Sequence, residues 1–197
     1  MEHLRSQEFP DLPPGEPNQP GIRRFAKDIL EVAVISLLLF FGINAISARI
    51  RVESVSMQPT LFAGNFVVIN KLAYQFGEPE RGDIVVFEYP PDPNQDPYIK
   101  RVIGLPGESI EIADGKVSIN GISIQEPYLI SDTPQGGSWK VPDGALFVMG
   151  DNRKNSSDSR AWGFVPLENV LGKALVIYWP PDQWELLDLS YAVAAEP

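Results

Sequence analysis

Ser54 and Ser56 in the run SVSMQPTL, and Lys100 inside the apolar run YIKRVIG, are residues whose types could together perform acyl transfer. A serine nucleophile needs a base that accepts its proton near neutral pH and donors for the developing oxyanion. The chain has no cysteine, and its one histidine, His3, lies ahead of a Pro-rich stretch. A hydrolytic mechanism here must therefore work without thiolate or imidazole, which makes lysine the natural base. Free lysine has a pKa of about 10.4, so it serves only where burial or neighbouring charge disfavours the ammonium form. Lys100 stands between Ile99 and Arg101-Val102-Ile103, and period-two alternation puts it on one strand face with Tyr98 and Val102. Lys173, which also precedes an apolar run, is a weaker rival. Taken alone, an inward-facing lysine reads more readily as a snorkelling or ion-paired structural residue.

The serine run is equally ambiguous by itself. Pro59 forces Gln58 out of the helical region and sets a bend that can hold a preceding side chain and N–H at a fixed angle, but a Ser/Thr-rich turn has the same letters. A third segment, GDNRKNSSDSRAWG from Gly150 to Gly163, is dense in turn formers and reads as an ordered loop in which Asp158 and Arg160 pair with each other or with neighbours. No nucleotide loop, metal-ligand cluster or carboxylate pair stands out, so no cofactor and no metal is expected.

The elements that must position these groups are short and β-rich: Phe66–Asn70, Asp83–Tyr89, Tyr98–Gly104, Ser109–Ala113, Lys116–Gly121, ALFVMG and KALVIYW. Each is rich in β-branched or aromatic residues and bounded by Gly, Pro, Asp or Asn, and no amphipathic helical pattern intervenes. A mainly β domain is predicted. Ahead of it, Ile29 to Ile46 is almost wholly apolar, about the length that spans a bilayer as a helix. Buried soluble helix and cleavable signal peptide are the alternatives, the latter because Ala45-Ile46-Ser47 offers small residues at a suitable spacing. Residues 1–22, with five prolines among polar neighbours, read as a disordered cytoplasmic tail, residues 23–48 as a transmembrane anchor and residues 49–197 as the catalytic domain. Arg23, Arg24 and Lys27 before the apolar run outnumber Arg49 and Arg51 after it, a slight lean toward a cytoplasmic N-terminus. The stretch after Arg51 has ten Lys/Arg against twenty Asp/Glu, the wrong sign for phosphate contacts, so no nucleic acid partner is expected.

Three boxes in order, SVSMQPTL, YIKRVIGLPGE and GDNRKNSSDSRAWG, resemble the type I signal peptidase family, and RGDIVVFEYP from Arg81 to Pro90 resembles a fourth. The resemblance implies a signal-peptidase-like β domain behind an N-terminal transmembrane helix. The short interval between Lys100 and Gly150 implies little of the inserted second domain that larger members carry. It also implies roles: Ser56 as nucleophile, Lys100 as general base, Ser54 with the Ser56 N–H as oxyanion donors, Ser156 as the group orienting the lysine, and Asp158 and Arg160 as stabilisers of the site. Met57, Leu61, Val52 and Ile99 are the implied lining of the substrate pockets, although each also reads as core. Glu108, where the pattern commonly has Asp, and Lys154, where it commonly has an acid, depart from it without touching a proposed catalytic group.

The implied activity is removal of signal peptides from exported precursors, by an acyl-enzyme route, after Ala-x-Ala-type small residues. The implied partners are signal-peptide-bearing precursor proteins and membrane lipid, with the enzyme a monomer. The implied location is the bacterial plasma membrane or the thylakoid membrane, as a single-pass protein with its catalytic domain on the extracytoplasmic or lumenal side. Two other readings stay open: a self-cleaving Ser/Lys protease, and a non-catalytic membrane-tethered β module that binds exported proteins.

Overall fold

Strict alternation in Ser109–Ala113, SIEIA, turns Ile110 and Ile112 inward and leaves Ser109, Glu111 and Ala113 exposed, as a strand with one wet face requires. Ile84–Phe87, IVVF, has no polar residue and is buried throughout, because it lies in the interior of its sheet with apolar clusters on both faces. These elements belong to a computed structural model that describes residues 21–134 and 136–187. Most of the expected N-terminal tail, residues 1–20, lies outside the described residues.

The chain divides into two units, residues 1–41 and 42–197. Helix α1 is Ile22–Ile46, 25 residues, beginning one residue before the expected anchor and giving way to a strand two residues before its expected end. Its most apolar window has a mean hydropathy of 2.4, so it is long and apolar enough to cross a membrane. Its side chains are exposed along its whole length, unlike those of a soluble core helix.

The second unit is built on two antiparallel sheets. In chain order the strands are β1 (Ser47–Arg51), β2 (Phe66–Asn70), β3 (Ile84–Phe87), β4 (Tyr98–Gly104), β5 (Ser109–Ala113), β6 (Lys116–Ile119), β7 (Ile122–Ser123), β8 (Gly137–Lys140), β9 (Ala145–Met149), β10 (Val165–Pro166), β11 (Val170–Trp179) and β12 (Glu185–Leu186), with a single helical turn α2 at Ser159–Trp162. The larger sheet runs β1-β2-β11-β3-β4-β9-β10, with β12 paired to β11, and the smaller runs β7-β6-β5-β8. The mainly β expectation holds, and the strand at Tyr98–Gly104 has the predicted bounds. Strands β1, β7, β8, β10 and β12 were not anticipated. Several are two-residue pairings, and β1 was counted partly within the anchor.

Three features position the site. Strand β4 is held on both sides, by β3 with Lys100 opposite Val85 and by β9 with Arg101 opposite Met149. Strand β1 is at an edge, and the chain leaves it through Val52, which pairs with Asn65 and Gly64 beside β2, into the serine turn. The loop after β9 returns to that turn. Beneath them, Val52, Met57, Leu61, Ile69, Ile84, Val86 and Ile99 form one apolar cluster, so the residues next to Ser56 and to Lys100 share a core.

Candidate active site

The turn at Ser54–Thr60 is pulled inward by Met57 and Leu61, both fully buried, and tightened by the Leu61 N–H donating to the Met57 carbonyl at 2.9 Å. Ser56 is left 6% exposed at the bottom of a cleft of about 550 Å³. Lys100, 4% exposed, reaches it from β4: Nζ lies 2.8 Å from Ser56 Oγ and donates to the Ile99 carbonyl at 3.0 Å. The same amine sits 5.3 Å from the centre of the Tyr98 ring. Burial lowers the lysine to about 8, against the opposing pull of the Asp158 and Asp151 carboxylates. About a tenth of the amine is then neutral at pH 7, against less than about one part in a thousand at the ordinary value, and that neutral fraction is the proton acceptor.

Ser54 Oγ is 3.0 Å from Ser56 Oγ, on the open side of the turn. The backbone N–H of Ser56 donates to no acceptor among the described residues, whereas its carbonyl accepts from the Asn152 N–H at 3.0 Å. Asn152 Nδ2 also donates to the Val55 carbonyl at 3.2 Å. The serine turn is thus fixed through its carbonyls, and its N–H stays available. Gly150 makes that fit possible, since a Cβ there would stand 2.4 Å from the Ser56 carbonyl oxygen and 2.3 Å from Ser156 Oγ.

The loop that makes these contacts is held by buried ion pairs. Asp158, wholly buried, accepts from Arg160 Nε and Nη2 at 2.8 Å each and from the Gly150 N–H at 3.1 Å. Arg160 also donates to the Arg153 carbonyl, and Arg153 pairs with Glu126 and Thr133. On the β4 side, Arg101 chelates Asp151 at 2.9 and 2.7 Å and donates to the Gly82 carbonyl, while Thr60 closes the group by donating to Asp151 at 2.5 Å. Asp151, one residue after Gly150, is therefore tied to the residue after Lys100 and to the serine turn.

The model for the family described as "Signal peptidase, peptidase S26" matches residues 23–179. The chain belongs to the signal peptidase family. Membership makes it a serine peptidase, a hydrolase. It is 40% identical to a signal peptidase I of Leptolyngbya laminosa over 87% of this chain and 89% of that one. It is 39% identical to a probable signal peptidase I-1 of a Synechocystis strain over 84% and 88%. A thylakoidal processing peptidase 1 of Arabidopsis thaliana is 35% identical over 80% of this chain and 48% of that one.

Within this signal peptidase fold, Ser54, Ser56, Lys100 and Ile99 border one cleft. Asp158 and Arg160 pair with each other and fix the loop, and Asp158 also acts on Lys100 through its charge. Two expectations need correction. Ser156 does not hydrogen-bond the lysine amine: its Oγ is buried without a partner, packed against Gly150, and the second contact of Lys100 Nζ is the Ile99 carbonyl. Val52, Met57 and Leu61 do not line the cleft, because alternation and the serine turn bury all three to 2% exposure or less in the core below it. The rival Lys173 is ion-paired with Asp83 at 2.6 Å. Arg101, Asp151, Thr60, Asn152 and Gly150 were missed as supports of the site. The adjacency of Arg101 to Lys100, and of Asp151 and Asn152 to Gly150, was visible, but their pairing across the fold was not.

Proposed function

We propose that this chain is a membrane-anchored serine endopeptidase that removes signal peptides from exported precursors, with Ser56 as nucleophile and Lys100 as general base. The observation that carries the proposal is the 2.8 Å approach of a buried lysine amine to Ser56 Oγ, with the amine lowered to about 8. Neutral Lys100 Nζ accepts the Ser56 proton as Oγ attacks the scissile carbonyl. The protonated amine then gives that proton to the leaving nitrogen as the C–N bond breaks, leaving an acyl-enzyme on Ser56. Lys100 next takes a proton from water, the hydroxide oxygen attacks the ester carbon, and the return of the proton to Ser56 Oγ completes the cycle. In both tetrahedral intermediates the oxyanion is met by the free N–H of Ser56 and by the Ser54 hydroxyl, which turns from Ser56 Oγ to face it.

The proposed cleavage follows small residues, and the apolar lining of the cleft against which they would pack includes Ile50, Pro97, Tyr98 and Ile99. The Ile99 carbonyl takes the orienting contact to the amine. Helix α1 serves as a single-pass anchor, with the catalytic domain on the extracytoplasmic or lumenal side of the membrane. In sealed right-side-out bacterial vesicles, protection of residues beyond Arg51 from added protease would contradict that orientation, and in sealed thylakoids, where the lumen is enclosed, their digestion would contradict it. The chemical reading is tested by an active-site-directed acylating inhibitor: mass spectrometry should find one adduct, on Ser56. A well-folded protein with no adduct, or with one that persists in Ser56→Ala, would favour a non-catalytic module.

A further inference from the structure

The rim of the cleft carries charges that the mechanism does not use. Val52 is buried and its backbone bonds to Asn65 and Gly64 continue the pairing of β1 with β2, so alternation turns Arg51 and Glu53 outward, and both are exposed. They line the cleft on the serine side, and exposed Asp96 lines it from the other wall, beside Pro97. None of these three side chains makes an ion pair or a side-chain hydrogen bond among the described residues, although ion pairs occur throughout the domain. They are exposed charged groups bordering the space a substrate must occupy, unpaired among the described residues.

An extended peptide alternates its side chains between two directions. If the residues first and third before the cut point down toward Ser56 and the apolar walls, the residue between them points up to the rim. We propose that Glu53 and Asp96 make this enzyme selective for precursors with a basic residue at the middle position of the Ala-x-Ala triplet. The proposal rests on the peptidase reading above and adds the charge of the preferred substrate. Arg51 offsets one of the two carboxylates and leaves the rim net negative. Because the rim is solvent-exposed, each contact is weak and screened by salt, so the expected preference is modest, about threefold to tenfold.

The test uses the full chain in non-ionic detergent and three precursor peptides that differ only in carrying Ala-Lys-Ala, Ala-Gln-Ala or Ala-Glu-Ala before the cut. At low salt, kcat/KM should fall in the order Lys, Gln, Glu, with a Lys-to-Glu ratio of about three to ten. The ratio should shrink toward one in concentrated salt and in the Glu53→Gln/Asp96→Asn double variant, and widen in Arg51→Gln. A wild-type ratio at or below one would overturn the proposal, and so would a ratio that survives both the salt and the double variant. Failure of the parent reading looks different: the wild type leaves the Ala-Gln-Ala peptide uncut, or Ser56→Ala cuts it as well as the wild type.

Discussion

Replacing Lys100 by Met should abolish catalysis and at the same time make the fold more stable at neutral pH. Lowering the amine from its ordinary 10.5 to about 8 corresponds to about 3 kcal/mol of unfavourable free energy for holding the ammonium inside the folded domain. Below pH 8 both folded and unfolded chains carry the proton, and this penalty is present in full. Between pH 8 and 10.5 the unfolded chain still binds the proton and the folded one has released it, so stability rises with pH; above 10.5 the penalty is gone. Met removes the titration and also removes the two Nζ contacts at 2.8 and 3.0 Å. Those contacts contribute about 1 kcal/mol each. The net gain near pH 7 is then about 1–2 kcal/mol, a rise in Tm of roughly 2–8 °C for a domain of this size. Thermal melts of both proteins from pH 6.5 to 10.5 should show the gap closing and then reversing over the upper part of that range. A gap that does not change with pH would refute the burial argument. The same proton governs kcat/KM, which should climb only about tenfold between pH 7 and 9, whereas a lysine of ordinary pKa would give about a hundredfold climb.

Ser54→Ala should reduce kcat by about 10² to 10³ without eliminating it, since the Ser56 N–H remains; wild-type rates in that variant would remove Ser54 from the oxyanion site. Gly150→Ala sets a Cβ 2.4 Å from the Ser56 carbonyl, and is expected to displace the serine turn and lose acylation by the inhibitor more than it loses cooperative unfolding. Removing one partner of the buried Arg101–Asp151 pair, as in Asp151→Ala, leaves an uncompensated guanidinium and should lower unfolding free energy by about 3–5 kcal/mol in chemical denaturation. A loss below about 1 kcal/mol would mean that the pair is not holding the loop against the serine turn.

The strand pattern was legible wherever one element supplied its own signal: YIKRVIG and SIEIA became strands with the predicted bounds because period-two alternation is local. The two-residue strands β7, β10 and β12 carry no periodicity and exist only because a partner strand is nearby. In the site, the ordered motifs pointed to Ser54, Ser56 and Lys100, which meet from β4 and from the turn after β1. Residue type alone did not separate wall from floor. Val52, Met57, Leu61 and Ile99 are all apolar and share one core cluster, and Ile99 alone of the four also borders the cleft, because it lies beside Lys100 on β4. The support around Asp151 was hidden for a related reason, because its partners Arg101 and Thr60 are 50 and 91 residues away along the chain.

The proposed chemistry is acylation of Ser56 with the help of buried Lys100. The most direct measurement incubates wild type, Ser56→Ala and Lys100→Ala with a precursor carrying Ala-x-Ala before its mature sequence, and maps the products by mass spectrometry. Cleavage after the second alanine by the wild type, lost in both variants, is the predicted result. Normal cleavage by Lys100→Ala would contradict it.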